Sequence, residues 1–463
     1  MSTETIVDTI AAQPASSAAA SNTITAAEEA RRSFATRALR AGYDPAEHAN
    51  ASSVPIYATA AYQLRDEEHA TQIASFELAD NIYTRISNPT TNVLEQRLAA
   101  LHGVEGAVAT ASGLAAVTYS LLNAALGGGR ILTTYRLYGG TVATFSDVLP
   151  DYGIGVDIVP NPDDPESWNA AILPDTKALL VESVSNPLSI VADIEALAAV
   201  AHKHGIILIV DNTLATPYLV NPFEYGADVV VYSTTKAING HGNAIGGVVL
   251  ESGAFDYANG NYPQFERKEW FFKSRERVER SVLEIAPTTP FTSRLRGILV
   301  TLLGAAPSPF DSYLTLIGLE TLKARLAQET ASTERVVGFL EEQREAGRIT
   351  AIYHPAAHDY PYRELADKYL TRGYDTVIAF DVDTEERKRR VLDALRLFSL
   401  QANLGDSKSL AIDPFVVTHP ELTLDELRIA GITPSTIRLS IGLEETDDLI
   451  ADLRQALDSA YAA

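Results

Sequence analysis

Lys236 lies between a valine-rich run, ADVVVYS (227–233), and a string of small residues, AINGHGNAIGG (237–247). A long flexible amine at the end of a buried segment is either solvated or the reacting group of a site. Other polar residues close apolar runs in the same way. Asp211 ends GIILIVDN (205–212), Asn186 follows ALLVES (178–183), and Ser233 and Thr235 flank the lysine. Ser112, Gly113 and Leu114 join the apolar GAVATAS to a helix-like stretch. In open α/β sheets ligands collect at the carboxyl ends of the strands, where all of these residues would meet.

Together they match the needs of one cofactor, pyridoxal 5'-phosphate. A lysine amine can form a Schiff base with its aldehyde, which suits Lys236. A carboxylate, here Asp211, can keep the pyridine nitrogen protonated, so that the ring acts as an electron sink. The turn ASGLAA (111–116) offers backbone N–H groups at a helix start, a suitable phosphate cradle. The hydroxyls of Ser233 and Thr235 can add hydrogen bonds to the same dianion. Blander readings stand beside these. Asp211 also fits a helix cap, Ser233 and Thr235 fit caps of the following segment, and Asn403 fits a residue that satisfies a turn.

The elements that would carry these groups alternate. TTNVLEQRLAALHG has leucines at 94, 98 and 101, a helical spacing closed by Gly103. GAVATAS, GRILTTY (129–135), GIGVDIV (153–159), ALLVES, GIILIVDN, ADVVVYS and AIGGVVL (244–250) read as short buried strands. SGLAAVTYSLLNAAL and IEALAAVAHKHG read as helices between them. The pattern predicts a mostly parallel sheet with helices on both faces. After Pro309 the texture changes to a long charged helix, a second helix through EERKRRVLDALRL, and strands at DTVIAFDV (375–382) and TIRLSIGL (436–443). We therefore expect a disordered tail over 1–30, an extended arm over 31–90, a cofactor-binding domain over 91–308 and a smaller α+β domain over 309–463.

Bulk composition excludes several classes. The 463 residues exceed one core, and the net charge of −23 opposes non-specific binding to nucleic acid or anionic membranes. The absence of cysteine removes disulfides, zinc–thiolate sites and a cysteine nucleophile. No apolar run reaches the roughly 18 residues of a membrane helix. The Ala/Ser/Thr-rich start lacks the basic and apolar blocks of a secretory signal, and Glu4 and Asp8 disfavour a transit peptide, so a cytoplasmic location is expected. His202 and His204 face apart on a helix, and Pro355 interrupts the His354/His358 pair, so no metal site is expected. His241 is expected to shape the glycine-rich turn. GGGR (127–130) precedes a strand instead of following one, against a dinucleotide fold.

STTKAINGHGNAIGG resembles the lysine motif of the Cys/Met-metabolism family of pyridoxal-phosphate enzymes, whose fold is type I, aspartate aminotransferase-like. YTRISNPT (83–90) is similar to that family's arm motif, which implies that Tyr83 and Arg85 reach the phosphate of a neighbouring subunit. RLYGGT (136–141) implies that Tyr138 stacks on the ring and helps proton transfer. A phenol, with an ordinary pKa of about 10, would need cations such as Lys236 and Arg85 beside it to act as a base. VESVSNP (181–187) implies a role for Asn186 at the ring or substrate. STIRLSIGLE (435–444) implies that Arg438 binds the substrate α-carboxylate through parallel N–H bonds, although a structural ion pair is the plainer reading. Ser112-Gly113-Leu114 stands where the family shows SGM, and its phosphate contact would come from backbone.

The likeness runs from about Tyr43 to Leu453. Within the family, QANLGDSKSLAIDP (401–414) and LTLDELRIAGITPSTIRLSIGLE (422–444) resemble the sulfhydrylase branch. Asn403 stands where the lyases and cystathionine synthases more often show serine, and Gly140 where methionine γ-lyases carry cysteine. The resemblance implies γ-replacement on an O-acylated homoserine by sulfide or methanethiol, with cystathionine γ-synthase or γ-lyase chemistry as the alternative. It also implies a homotetramer built from two dimers. Acetyl against succinyl ester, and sulfide against methanethiol or cysteine, stay open.

Overall fold

A computed structural model of the protein describes residues 31–462; the expected tail over 1–30 lies outside the described residues. Seven strands form the larger sheet: β1 (Gly106–Thr110), β2 (Gly129–Thr133), β3 (Ile154–Ile158), β4 (Thr176–Glu182), β5 (Ile207–Asp211), β6 (Val229–Ser233) and β7 (Gly247–Glu251). Their order is β1-β7-β6-β5-β4-β2-β3. All neighbours are parallel except that β7 runs antiparallel to β1 and β6.

Successive side chains on a strand point to opposite faces, and the packing follows. Ile207 and Ile209 enter one buried cluster, whereas Leu208 and Val210 enter the other. Each face is covered, which is why these strands read as unbroken apolar runs. The sheet is therefore the mostly parallel, doubly covered one that the sequence pattern predicts.

The second sheet has the order β10-β11-β12-β9-β8, built from β8 (Ile349–Tyr353), β9 (Val377–Val382), β10 (Ser399–Leu400), β11 (Leu410–Ile412) and β12 (Thr436–Ser440). A single 37-residue helix, Pro309–Glu345, leads into it. Leu316, Leu319, Leu322 and Leu326 of this helix share one buried cluster with Leu208 of the first sheet and Phe380 of the second. The two sheets thus lean on one continuous apolar mass.

Two segments differ from expectation. Residues 31–90 are not extended throughout, because they carry helices at Phe34–Arg40 and Glu67–Ala74 and a 3-10 turn at Pro45–His48. Asp66 caps the second helix by accepting the His69 N–H at 2.8 Å, and Phe34 and Ala38 are buried in the main core. The helix expected through EERKRRVLDALRL stops at Ala394. Beyond it, the Asp452 carboxylate accepts the N–H groups of Arg396, Leu397 and Phe398, at 2.8–3.1 Å. Among the described residues no helix is long and apolar enough to cross a membrane.

The long helix also touches the segment after Lys236. A Cβ on Gly318 would lie 2.0 Å from the Asn239 carbonyl oxygen. Arg325, two helical turns on, donates to the carbonyls of Ala237 at 2.8 Å and Gly318 at 3.0 Å. Gly318→Ala should therefore force helix and loop apart and destabilise the protein by about 1–3 kcal/mol, read as a lower thermal midpoint. An exposed glycine of the same helix, Gly338, has nothing within 4 Å of its Cβ position; Gly338→Ala should not lower the midpoint.

Candidate active site

The carboxyl ends of β4, β5 and β6 converge on a cavity of about 210 Å³. Its walls include Ser112, Gly113, Leu114, Tyr138, Asn186, Asp211, Ser233, Thr235 and Lys236. Nine of the residues singled out by motif and spacing are thus brought together. Asn403 and Arg438 stand directly behind, bonded to wall residues. Tyr83 and Arg85 are not brought to this cavity. They are exposed in the arm, with the Arg85 guanidinium 5.1 Å from the Tyr83 ring centre.

Lys236 follows β6 by three residues, and its Nζ donates to Asn403 Oδ1 at 2.8 Å. Burial, then the Arg438 charge, lower its ammonium to a pKa of about 8. A buried amine loses hydration of its charged form, so a larger share is neutral near physiological pH. The loop after it is pinned: the Ser407 N–H donates to the Gly240 carbonyl at 2.8 Å. His241 folds back on Asn239, its N–H donating to Asn239 Oδ1 at 3.1 Å, as expected of a turn-shaping residue.

Asp211 ends β5 with Oδ1 accepting the Thr213 N–H at 3.0 Å and the Thr213 hydroxyl at 2.5 Å. Among the described residues Oδ2 accepts nothing. Burial raises the acid to about 6, against the pull of the two Thr213 bonds. The Thr213 hydroxyl also accepts the Ser233 N–H at 2.9 Å, which joins β5 to β6 at the mouth.

Ser112 caps the Gly113–Ala125 helix, its Oγ accepting the Ala115 N–H at 3.1 Å. The first N–H groups of that helix have no intrahelical carbonyl and give the helix start a positive potential. Only glycine fits at 113, because a Cβ there would lie 2.4 Å from Ser233 Cβ. This contact presses the helix start against the end of β6. The Thr235 hydroxyl is taken by the opposite side of its own loop, donating to the Gly246 carbonyl at 3.2 Å and accepting the Gly246 N–H at 3.1 Å.

Arg438, on β12, is buried; its Nη1 donates to Asn186 Oδ1 at 3.0 Å and its Nη2 to the Asn403 carbonyl at 2.7 Å. Its Nε is buried without a partner. Among the described residues no carboxylate pairs with it, so the plain ion-pair reading is not the arrangement found, and burial lowers the guanidinium to about 10. Half-exposed Tyr138 precedes the Gly139–Asp147 helix, with its ring on the cavity wall.

The residues fit pyridoxal phosphate. The wall offers an amine, a carboxylate with one open oxygen and a helix start cleared of a Cβ, and behind it Arg438 keeps one guanidinium N–H without a partner. Sequence reasoning missed Glu182 and Thr213, which also line the cavity. Both carried a signal: Glu182 ends an apolar run as Asp211 does, and Thr213 stands two residues past Asp211, the spacing of an Asx turn. Among the described residues no group of three or more His, Asp or Glu is placed to hold a metal ion.

Comparison with known proteins agrees with the geometry. The model of a family described as Cys/Met metabolism PLP-dependent enzyme matches residues 35–458. Sulfhydrylase FUB7 of Fusarium oxysporum f. sp. lycopersici is 38% identical over 441 residues, covering 94% of this chain and 100% of the relative. The O-acetyl-L-homoserine sulfhydrylase of Leptospira meyeri is 37% identical over 433 residues, covering 91% of this chain and 96% of the relative. A solved Campylobacter jejuni structure, described as an O-acetylhomoserine (thiol)-lyase with N'-pyridoxyl-lysine-5'-monophosphate, superposes with a TM-score of 0.87 at 38% identity. It spans 92% of this chain and 100% of its own. With a lysine, a carboxylate and a helix start gathered as this cofactor requires, and a match over nearly the whole length, the chain belongs to the Cys/Met metabolism family of PLP-dependent enzymes.

Proposed function

We propose that the protein catalyses γ-replacement on O-acetyl-L-homoserine, with sulfide or methanethiol as acceptor, giving L-homocysteine or L-methionine and acetate. The observation that carries this reading is the 2.8 Å contact between Lys236 Nζ and Asn403 Oδ1, since Asn403 is the residue by which the motif departs from the lyases. Relatives named sulfhydrylases support it. The reaction serves methionine biosynthesis, and we place it in the cytoplasm.

When bound, pyridoxal phosphate would supply an electron sink for charge developing at the substrate Cα. The chain's own residues do the rest. Arg438, steadied by Asn186 and the Asn403 carbonyl, takes the substrate carboxylate. Asp211 holds the ring nitrogen protonated. The Gly113 and Leu114 N–H groups and the Ser233 hydroxyl take the phosphate. Lys236, neutral in part because of burial, removes the Cα proton and returns it, while Asn403 keeps the amine oriented. Tyr138 stacks on the ring and assists proton transfer. The Cγ–O bond breaks with loss of acetate and a Cγ–S bond forms, so no net oxidation occurs.

Residues 91–308 act as the cofactor-binding unit and 309–463 as the unit that closes it. Tyr83 and Arg85 serve the phosphate of a neighbouring subunit in a homotetramer. Their exposure and their absence from the lining of their own cavity support this. A solution mass equal to one active chain would refute it.

A product assay with O-acetyl- and O-succinyl-L-homoserine, each offered sulfide, methanethiol or cysteine, tests the reaction. Homocysteine from the acetyl ester is expected. Cystathionine from cysteine, or 2-oxobutyrate without thiol, would move the assignment to cystathionine γ-synthase or a γ-lyase. Lys236→Ala should lose the cofactor's visible absorbance band and lower turnover by at least about 10²–10⁴-fold.

A further prediction concerns pH. The folded Asp211 carboxyl titrates at about 6, above its ordinary value near about 4. The folded state therefore binds this proton more tightly, and the stability it contributes is lost as pH rises through about 6. Asp211→Asn should raise the thermal midpoint of the cofactor-free protein at pH 8, change it little at pH 4, and abolish cofactor retention. Equal midpoints at pH 8 would show that burial is not what perturbs Asp211.

A further inference from the structure

Glu182 closes β4 level with Asp211 at the end of β5. It lines the cofactor cavity and also a second cavity of about 230 Å³ beside it, so it is part of the partition between them. Glu182 is 7% exposed and makes no salt bridge among the described residues. A carboxyl in such a place is costly. Burial first, and the neighbouring Asp211 charge second, push its proton affinity well above the usual carboxylate range. Residues that work against folding in this way tend to be kept where a site needs them.

What Glu182 holds is specific. Oε1 accepts the Tyr138 N–H at 2.5 Å, and Oε2 accepts the Asn186 N–H at 2.9 Å. These donors come from two separate segments, the turn into the Gly139–Asp147 helix and the loop after β4. Asn186 receives Arg438, Arg438 donates to the Asn403 carbonyl, and the Asn403 side chain accepts from Lys236. One continuous path therefore runs from the aromatic wall to the reacting amine, and Glu182 is the bridge on which its two halves meet.

We propose that Glu182 is a positioning residue: by spanning the Tyr138 and Asn186 backbones it sets the ring-stacking tyrosine and the asparagine beneath Arg438 as one rigid frame. One side chain then governs both how the cofactor seats and how the substrate carboxylate is captured. The cofactor half of this inference rests on family membership, and the substrate half rests on the proposed function.

Two variants separate geometry from charge. Glu182→Gln keeps the length but turns one acceptor into an amide donor facing a backbone N–H. Glu182→Asp keeps the charge but is one methylene too short to reach both donors. In purified holoenzyme, both should weaken the visible circular dichroism of the bound cofactor and raise its dissociation constant about tenfold, the equivalent of one lost bridge. Both should raise KM for O-acetyl-L-homoserine about tenfold, with kcat within about threefold. In an Asn186→Ala background, Glu182→Gln should change KM less than about twofold, because the path is already cut. Wild-type dichroism and cofactor affinity in both variants would overturn the inference. So would wild-type behaviour of Glu182→Asp alone, which would reduce the residue to a charge, or full additivity with Asn186→Ala. If the wild-type enzyme fails to turn over the ester, the proposed function falls, while dichroism and cofactor affinity still decide the role of Glu182.

Discussion

The bond from Lys236 Nζ to Asn403 Oδ1 joins a residue just past β6 of the first sheet to one in the loop between β10 and β11 of the second. A lysine stem has several free torsions, and ordering them costs about 2 kcal/mol of rotamer entropy. The fold meets this cost by constraining both ends. The Arg325 guanidinium holds the Ala237 carbonyl, the Ser407 N–H holds Gly240, and the Gly405 N–H donates to Ser440 Oγ on β12 at 2.9 Å. The amine is thus aimed by the second sheet, although its chain position is set by the first. Without that partner, a buried amine of lowered basicity would be a liability with no orientation.

Burial disfavours the charged form of Lys236, Arg438, Asp211 and Glu182 alike, and Arg438 adds to the effect on Lys236 as Asp211 adds to that on Glu182. Such an arrangement suits a ligand that brings its own charges of both signs, because each buried group is then compensated by the ligand. It also explains how a chain of net charge −23 can hold a cofactor that carries a phosphate. The overall field acts over long distances through salt, whereas the pocket acts through a few dehydrated contacts.

Much of this was readable before any coordinates, and the reasons are particular. Lys236, Asp211, Ser112 and Ser233 each end or follow an apolar run, and a parallel sheet carries every such end to the same rim. Arg438 and Asn186 lie far apart in the chain, and resemblance to a family motif, not spacing, singled them out. Glu182 ends an apolar run as Asp211 does, but its partners, the backbone N–H groups of Tyr138 and Asn186, leave no mark in a sequence. The stop at Ala394 escaped because Asp452, which captures the next N–H groups, is more than fifty residues away. The helices at Phe34–Arg40 and Glu67–Ala74 span 7 and 8 residues, too few for a 3.6-residue period to stand out. Cavity walls and helix ends of this kind are made by long-range contact.

The Pro309–Glu345 helix has a mechanical consequence. Its 37 residues form a rod about 55 Å long, seated on the first sheet's core at one end and against the second sheet at the other. Gly318 and Arg325 fasten the rod to the loop that follows Lys236. Asn403 and Arg438, carried by the second sheet, thus keep their places against Lys236 and Asn186 through a lever anchored at both ends.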